Sequence, residues 1–395
     1  LQARFAGLSM DAKGKIPGVS GVTGWIAGTP AEGVARLQGE PLQLTLTRFY
    51  DHPLSATFNG PMRWRMKDDG WRVDSGTLMA QNSDARGVAM LSLRGGGESV
   101  PELRLMADVL DGDGARARQY IPLKKLPDGL SDWLGQAVRD GHLQHGRFLY
   151  RGPVKIDPDQ QQERTFQMRF QGSDIALSFL PGWPLAGGVN ADVLIDGRQV
   201  SASASQGQLL NSRVSAVSVD VPDVDDKNAR HIVIQGQVEG PASDLNQLFQ
   251  DTPLKQKLPD ELLDWGFQKG RMNGHLLLDM PLAKEGSVAP MVIVDGQASD
   301  VTLNNAKRKL LISHVSAPVY FHLKKGITLR SVKGDALGGH FEGSWLTRGP
   351  DSQMQLTGSV PAQRLREWLG FDWLSPVSGT LPLELDLGMP WQGSP

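Results

Sequence analysis

The sequence predicts a mostly β fold: a long twisted antiparallel β-sheet of repeated units, with a few short amphipathic helices. Three observations predict it: apolar and polar residues alternate with period two, turn residues separate the alternating segments, and parts of the sequence recur. The clearest alternation is in 381–387, where leucines are separated by proline, glutamate and aspartate. Alternation of this kind places apolar side chains on one face of a strand, and is typical of antiparallel sheets with one solvated face.

The same alternation occurs at 42–46, 217–221 and 319–323, and each of these segments predicts a strand. Turn signals divide the strands, and they read Asp-Asp-Gly at 68–70, Asp-Gly at 196–197, Lys-Lys-Gly at 324–326 and Gly-Gly at 338–339. Helical spacing of apolar residues is confined to short segments. We predict a helix within 126–139, one capped by Ser243, and one with Pro361 in its first turn.

Internal repetition predicts how these elements are organised. The segment 126–133 returns as 258–265, with a weaker echo at 370–373, and each ends in Asp-Trp. A glycine then precedes the next strand, namely Gly141, Gly270 and Gly379. The repetition predicts three units at 1–155, 156–284 and 285–395, each a β-meander closed by short helices, the third truncated at its C-terminal end. One unit cannot bury its sheet face alone, so we expect neighbours to extend a shared apolar face.

Composition excludes several classes of function. The chain has 395 residues, a formal net charge of -2 and no cysteine. It therefore has no electrostatic footprint for nucleic acid, and no disulfides, thiolate metal sites or cysteine nucleophiles. No segment approaches the roughly 18 consecutive apolar residues of a membrane-spanning helix. Neither end reads as complete, so we expect an excised piece whose targeting signal lies elsewhere.

Candidate chemical sites are weak. His142 and His145 lack a third ligand at fitting spacing, and Asp-Gly-Asp-Gly at 111–114 lacks the later acidic ligands of a calcium loop. No nucleophile with its base and no placed carboxylate pair is evident. The tryptophans at 133, 265, 368 and 373 lie at helical spacing and favour core packing, whereas Trp64 and Trp71 fit either a groove or an exposed surface. We expect no enzyme activity, no cofactor and no metal.

Several segments carry a family resemblance, and they lie in order along the chain. They are 119–123, 126–133 and 146–153, then 180–184 and 187–197, then 251–254 before the second Leu-Pro-Asp. With these segments the chain resembles the large AsmA-like family, and most closely its YhdP branch.

The resemblance implies a bridge-like periplasmic lipid transfer protein with a taco-like open groove. Family members carry one N-terminal transmembrane helix, and phospholipid moves along their apolar trough between the inner and outer membranes of a diderm bacterium. The implied partners are phospholipids, the inner membrane through an anchor missing from this sequence, and the outer membrane or envelope proteins. This sequence lacks the anchor and the C-terminal portion, so we expect a middle segment.

Period two selects candidate residues for lining such a groove, although a one-residue register error would exchange the faces. The candidates are Leu44, Leu46, Leu91, Leu93, Met168, Phe170, Ile232, Ile234, Val319, Phe321, Leu383 and Leu385. Two other hypotheses stay open. One is a structural or scaffolding envelope module with a closed core and protein partners. The other is a β-rich glycan hydrolase or lyase, which a carboxylate pair with shifted pKa values in a cleft would support.

Overall fold

A computed structural model confirms the predicted fold class. Within the residues it describes, 21 strands form one antiparallel sheet, with a few short helices. The described residues are 1–14, 16–97, 99–121, 124, 128–155, 164–224, 231–256, 258, 260–281, 291–349, 351–370 and 376–390. They group into two compact units, one formed by Leu1–Ser178 with Gly187–Ala202, the other by Phe179–Ala186 with Ser203–Pro395. The division into three repeat units stays a prediction.

The first unit contains ten strands and most of an eleventh. They are β1 (Gln2–Met10), β2 (Gly18–Gly28), β3 (Glu32–Thr45), β4 (Leu54–Lys67), β5 (Gly70–Ser75), β6 (Leu78–Gln81), β7 (Arg86–Gly95), β8 (Glu102–Asp113), β9 (Val138–Pro153), β10 (Thr165–Leu177) and β11 (Ala186–Asp196). From β1 to β10 each strand pairs with the next, except that β5 and β6 together fill one place between β4 and β7. The ladder is therefore a meander of sequence neighbours.

The second unit is a meander of the same kind. After β12 (Gln199–Leu209), whose residues are divided between the units, it contains β13 (Ser212–Val221), β14 (His231–Pro241), β15 (Gly266–Pro281), β16 (Met291–Asn305), β17 (Leu310–His322), β18 (Gly326–Ala336), β19 (Gly339–Arg348), β20 (Asp351–Pro361) and β21 (Thr380–Pro390). Each strand from β13 to β21 pairs with the next. All four predicted turns lie between consecutive strands.

Helical segments interrupt the meander at intervals of six strands in the described part of the chain. They are α1 (Ala117–Tyr120) and α2 (Asp128–Ala137) after β8, α3 (Asp244–Asp251) and α4 (Asp260–Leu263) after β14, and α5 (Ala362–Leu369) after β20. A 3₁₀ turn at Pro253–Gln256 separates α3 from α4. The flanking strands still pair directly with each other. The helices therefore lie outside the ladder, and α3, α4 and α5 share one end of the second unit's strands.

The repeated glycine lies near the start of the strand that follows each helical segment. The prediction that it precedes the strand is correct for Gly379 and β21, whereas Gly141 and Gly270 lie three and four residues inside β9 and β15. Gly141, Gly270 and Gly379 have φ values of +124°, +99° and +94°. A Cβ at Gly270 would lie 2.5 Å from the Cα of Val301. Only glycine adopts such φ values without a steric cost, so the repetition in the sequence reflects a backbone requirement.

A small buried residue opposes this glycine in the second unit. The Ala242 amide donates to the Gly270 carbonyl at 3.0 Å, and the Ala362 amide donates to the Gly379 carbonyl at 2.9 Å. The exposed fractions of Ala242 and Ala362 are 0% and 2%. Ala242 packs with Ala298 and Val301, and Phe267 and Met272 contact this cluster. We call this contact between helical segment and sheet the helix junction.

Asp244 fixes α3 to the preceding hairpin. Its carboxylate accepts hydrogen bonds from the Asn211 amide at 3.0 Å, the Asn211 side chain at 2.9 Å and the Ser212 hydroxyl at 2.6 Å. Ser243 precedes α3 as predicted, but its side chain makes no capping bond. The first helical residue therefore holds the β12–β13 turn, and the predicted cap contributes no side-chain contact.

Candidate functional site: two apolar sheet faces

One face of the first unit is apolar across six strands. Because residues paired across antiparallel strands point to the same side, Leu91, Leu105, Tyr150 and Phe166, each opposite the next, form one row on this face. The apolar face of the first unit comprises Phe58, Met62, Trp64, Trp71, Val73, Leu91, Leu93, Leu103, Leu105, Phe148, Tyr150, Phe166, Met168 and Phe170. Trp64 and Trp71, which the sequence left open, both lie on it.

The opposite face of the first unit carries the charges. Arg147 Nε donates to Asp108 at 2.8 Å, and Arg169 Nη2 donates to Asp192 at 2.6 Å. These hydrogen bonds hold the pKa values of both carboxyl groups below their ordinary range. The alternation therefore separates apolar from charged side chains across the sheet.

The second unit has an apolar face of the same kind. Val294 lies opposite Phe321, which lies opposite Ile327, and three adjacent strands thus contribute one row. The apolar face of the second unit comprises Ile232, Ile234, Leu276, Leu278, Met280, Val292, Val294, Val319, Phe321, Ile327, Leu329, Trp345, Met354, Leu356, Leu383, Leu385 and Leu387. In β15 the same side of the strand continues from Met280 to Met272, about 27 Å at 3.4 Å per residue, and Met272 contacts the cluster of the helix junction.

Among the described residues, neither face is buried to the degree of a closed protein core. The fully buried apolar side chains of the described residues are all alanine or valine, and the largest fully buried side chains of any type are Asn305 and Ser352. Every leucine, isoleucine, methionine, phenylalanine and tryptophan whose burial is described retains surface in water. In ordinary domains leucine, isoleucine, methionine and phenylalanine are among the residues most often fully buried.

The total accessible surface agrees with uncovered faces. It is 24424 Å² for 42.9 kDa. Two closed globules of half that mass each would expose about 18,000 Å² together. The excess is surface that a closed globule would bury and this fold leaves open to water, and the partly buried apolar faces belong to it.

The structure places eleven of the twelve candidate residues on the apolar sides of the two units. Leu44, Leu91, Leu93, Met168 and Phe170 lie on the apolar side of the first unit, and Ile232, Ile234, Val319, Phe321, Leu383 and Leu385 on that of the second. Leu46 lies beyond the end of β3, where its carbonyl accepts from the Phe49 and Tyr50 amides. That these residues line a lipid groove stays a prediction.

Sequence reasoning missed most of the aromatic residues on the faces. Phe148, Phe166 and Trp345 lie there. They were missed because each belongs to a strand in which apolar and polar residues alternate less regularly than in 381–387. The signal that identifies them is pairing with an already selected strand, such as Phe148 opposite Met168.

The metal and helix candidates have plain structural settings. His145 Nε2 lies 3.6 Å from Asp108, and His142 lies opposite Asp113. The described residues contain no group of three or more acidic, histidine or cysteine side chains arranged to hold a metal ion. Trp368 is 38% exposed, and its indole donates to the Arg308 carbonyl. The side chain of Trp133 and all of Trp373 lie outside the described residues.

No helix within the described ranges is both long enough and apolar enough to cross a membrane.

Comparison with known proteins gives the family. A family model described as "YhdP protein" matches residues 1–394. The chain belongs to the YhdP family. This confirms the YhdP resemblance that the sequence segments carried.

One curated relative of this YhdP-family chain is the intermembrane phospholipid transporter YhdP of Escherichia coli (strain K12). The two are 24% identical over 313 residues, which cover 77% of this chain and 23% of the relative. The chain thus spans about a quarter of the relative it matches. No solved structure matches the chain.

Proposed function

We propose that this chain is the middle segment of an envelope-spanning protein that shields phospholipid acyl chains during transport between the inner and outer membranes. The observation that carries the proposal is the uncovered apolar face of each unit. The family membership and the printed name of the relative support the lipid class of the cargo. A scaffold with a closed core would instead bury its large apolar side chains.

Elementary energetics explains why an open apolar face suits this cargo. At roughly 0.8 kcal/mol per methylene, exposing two acyl chains to water costs tens of kcal/mol. A strand-long apolar face removes much of that cost, whereas the headgroup stays hydrated at the edge and needs no buried charge partner. Such transfer needs no covalent step, nucleotide or metal, so the proposed role is non-enzymatic. We place the segment in the periplasm, in a protein anchored to the inner membrane, with phospholipids and envelope membranes or proteins as partners.

Co-purifying lipid tests the proposal. The segment is purified with minimal detergent, and bound lipid is measured by native mass spectrometry and organic extraction. We expect phospholipid on the unmodified protein and loss of most of it in Phe170→Asp and Phe321→Asp, because a carboxylate on the apolar face expels acyl chains.

Matched controls place the same charge on the opposite face. Tyr320 and Met106 are 38% and 50% exposed on the polar side of β17 and β8. Tyr320→Asp and Met106→Asp should therefore retain lipid, with unfolding midpoints showing that all variants fold. Equal loss in both groups, or no lipid on the unmodified protein, would reject the apolar faces as the binding surface.

A further inference from the structure

Three basic residues converge at one edge of the second unit, at the strand ends opposite α3, α4 and α5. Lys324 and Lys325 form the β17–β18 turn, and Arg348 ends β19. The turn packs against β19, because a Cβ at Gly326 would lie 2.5 Å from Thr347 Cγ2. The Thr347 hydroxyl donates to the Ile327 carbonyl at 2.9 Å. We call Lys324, Lys325 and Arg348 the basic edge.

The three basic-edge side chains form no ion pair within the described residues, unlike the arginines that pair across the strands. Arg147, Arg169 and Arg271 each pair with a carboxylate, whereas no ion pair joins a basic-edge side chain to any described acidic residue. Asp351 lies opposite Arg348 in the ladder, but the two side chains form no ion pair. His322 is buried next to the turn. Burial lowers its pKa most, and the positive charges of Lys325 and Lys324 lower it further. The edge thus presents three cationic side chains that form no direct ion pair with a described carboxylate.

The basic edge adjoins the apolar face directly. Phe321 lies just before the turn and Ile327 just after it, and the Leu323 amide donates to the Val292 carbonyl at 3.0 Å. Farther from the edge on the same face lies Trp345, whose Nε1 is buried with no hydrogen-bond acceptor among the described residues. Buried indole N–H groups nearly always have a partner.

We propose that the basic edge binds the phosphate of a phospholipid whose acyl chains lie on the adjacent apolar face, with Trp345 Nε1 donating to a glycerol ester carbonyl. This rests on the proposed function and adds headgroup recognition to it. The order of groups in the lipid matches the order in the protein: phosphate at the edge, ester carbonyl farther in, chains beyond. Lysine and arginine form charge-assisted hydrogen bonds with phosphate, and these are stronger than neutral ones.

A charge-removal variant tests the phosphate contact. Lys324→Gln/Lys325→Gln/Arg348→Gln is compared with Lys309→Gln/Arg330→Gln/Lys333→Gln, which removes equal charge elsewhere in the unit. Binding of phosphatidylglycerol and of diacylglycerol with identical chains is measured by native mass spectrometry. We expect the basic-edge variant to lose on the order of tenfold in preference for the phospholipid, with diacylglycerol binding unchanged and the control variant unaffected.

The outcomes separate the two proposals. If the basic-edge variant keeps the preference, or loses both lipids equally, the phosphate contact is wrong although the apolar face can still bind chains. If the unmodified protein binds neither lipid, the proposed function fails, and this inference with it. If inorganic phosphate at the same concentration as the lipid abolishes the preference for phosphatidylglycerol over diacylglycerol, the edge binds free anions and its assignment to a lipid phosphate is wrong.

The indole contact has its own test. Trp345→Phe keeps an aromatic ring and removes the N–H donor. We expect the unmodified protein to bind ester-linked phospholipid more tightly than its ether-linked analogue, and Trp345→Phe to bind the two equally. An unchanged ester preference in Trp345→Phe would refute the carbonyl contact while leaving the phosphate contact standing.

Discussion

The helix junction and the apolar face of the second unit use apolar residues in opposite ways. At the junction, small side chains pack until nothing is exposed, as Ala242 and Val301 show with exposed fractions of 0% and 2%. On the face, larger side chains such as Leu278 and Phe321 remain partly in water. A single-layer sheet thus holds itself together by backbone pairing and a few tight junctions, and leaves its largest apolar groups available for a ligand.

The strongest challenge to this comparison is a bulky residue at the junction glycine. Gly270→Val places a branched side chain at φ +99°, with its Cβ 2.5 Å from Val301 Cα and 2.6 Å from the Asp300 carbonyl oxygen. We expect the free energy of unfolding to fall by about 3–5 kcal/mol, measured by urea denaturation.

The control is Gly349→Ala, which also has positive φ, at +62°, but has open space around the position. It should cost only about 1 kcal/mol. Similar losses for both variants would mean that conformational strain alone, and not junction packing, sets the stability.

Removal of the Asp244 carboxylate tests the polar side of the junction. Asp244→Ala leaves the Ser212 hydroxyl and the Asn211 amide without their acceptor, and Ser212 is buried. We expect a loss of about 2–4 kcal/mol in unfolding free energy, because buried donors without acceptors are costly. Asp251→Ala at the exposed end of α3 is the control and should change stability by less than about 0.5 kcal/mol. A neutral Asp244→Ala would show that water replaces the carboxylate.

Truncation at the two regions compares them directly. Val301→Ala removes two buried methyl groups and should cost about 2 kcal/mol, whereas Leu278→Ala removes more carbon and should cost only about 1 kcal/mol in lipid-free protein. The reason is that Leu278 is already partly solvated. Calorimetric or urea unfolding measures both, and added phospholipid should enlarge the Leu278→Ala loss alone. A larger lipid-free loss for Leu278→Ala would mean that the face is a core.

Much of this organisation was predictable from the sequence, and the limits have physical causes. The period-two pattern placed Leu91, Phe170 and Phe321 on the apolar side of their strands, because apolar residues alternate with polar residues that face water. It assigned Leu46 to a strand that ends at Thr45, since alternation cannot locate a strand end. The repeated glycine was visible, but its positive φ and contact with Val301 need the neighbouring strand. The basic edge brings Arg348 to Lys324 and Lys325, which lie 24 and 23 positions earlier, and it appears only after β18 and β19 pair.

Trp345→Phe tests the apolar face of the second unit, because this substitution should raise stability while it removes the preference for ester-linked phospholipid. Its indole N–H is buried without an acceptor, so removing it should raise the unfolding free energy of lipid-free protein by about 1 kcal/mol. Trp71→Phe on the first unit's face is the control and should be neutral or destabilising. A destabilised Trp345→Phe would indicate that ring volume outweighs the unmade hydrogen bond.

The smallest effect belongs to the charged face, where Arg169 lowers the pKa of Asp192 through their hydrogen bond. A carboxyl group whose folded-state pKa is depressed adds stability above its unfolded pKa, near about 3.9, and loses it as the pH falls through the folded value. The pair is substantially exposed, so its own contribution to the free energy of unfolding should change only slightly as the pH falls below about 5. Arg169→Gln should return the Asp192 pKa toward its ordinary value in a carboxyl-detected NMR titration, whereas Arg104→Gln should leave it unchanged. If Arg169→Gln instead lowered stability as much as Asp244→Ala, the charged face would contribute as much as the junction, and the contrast between tight junctions and a passive outer surface would fail.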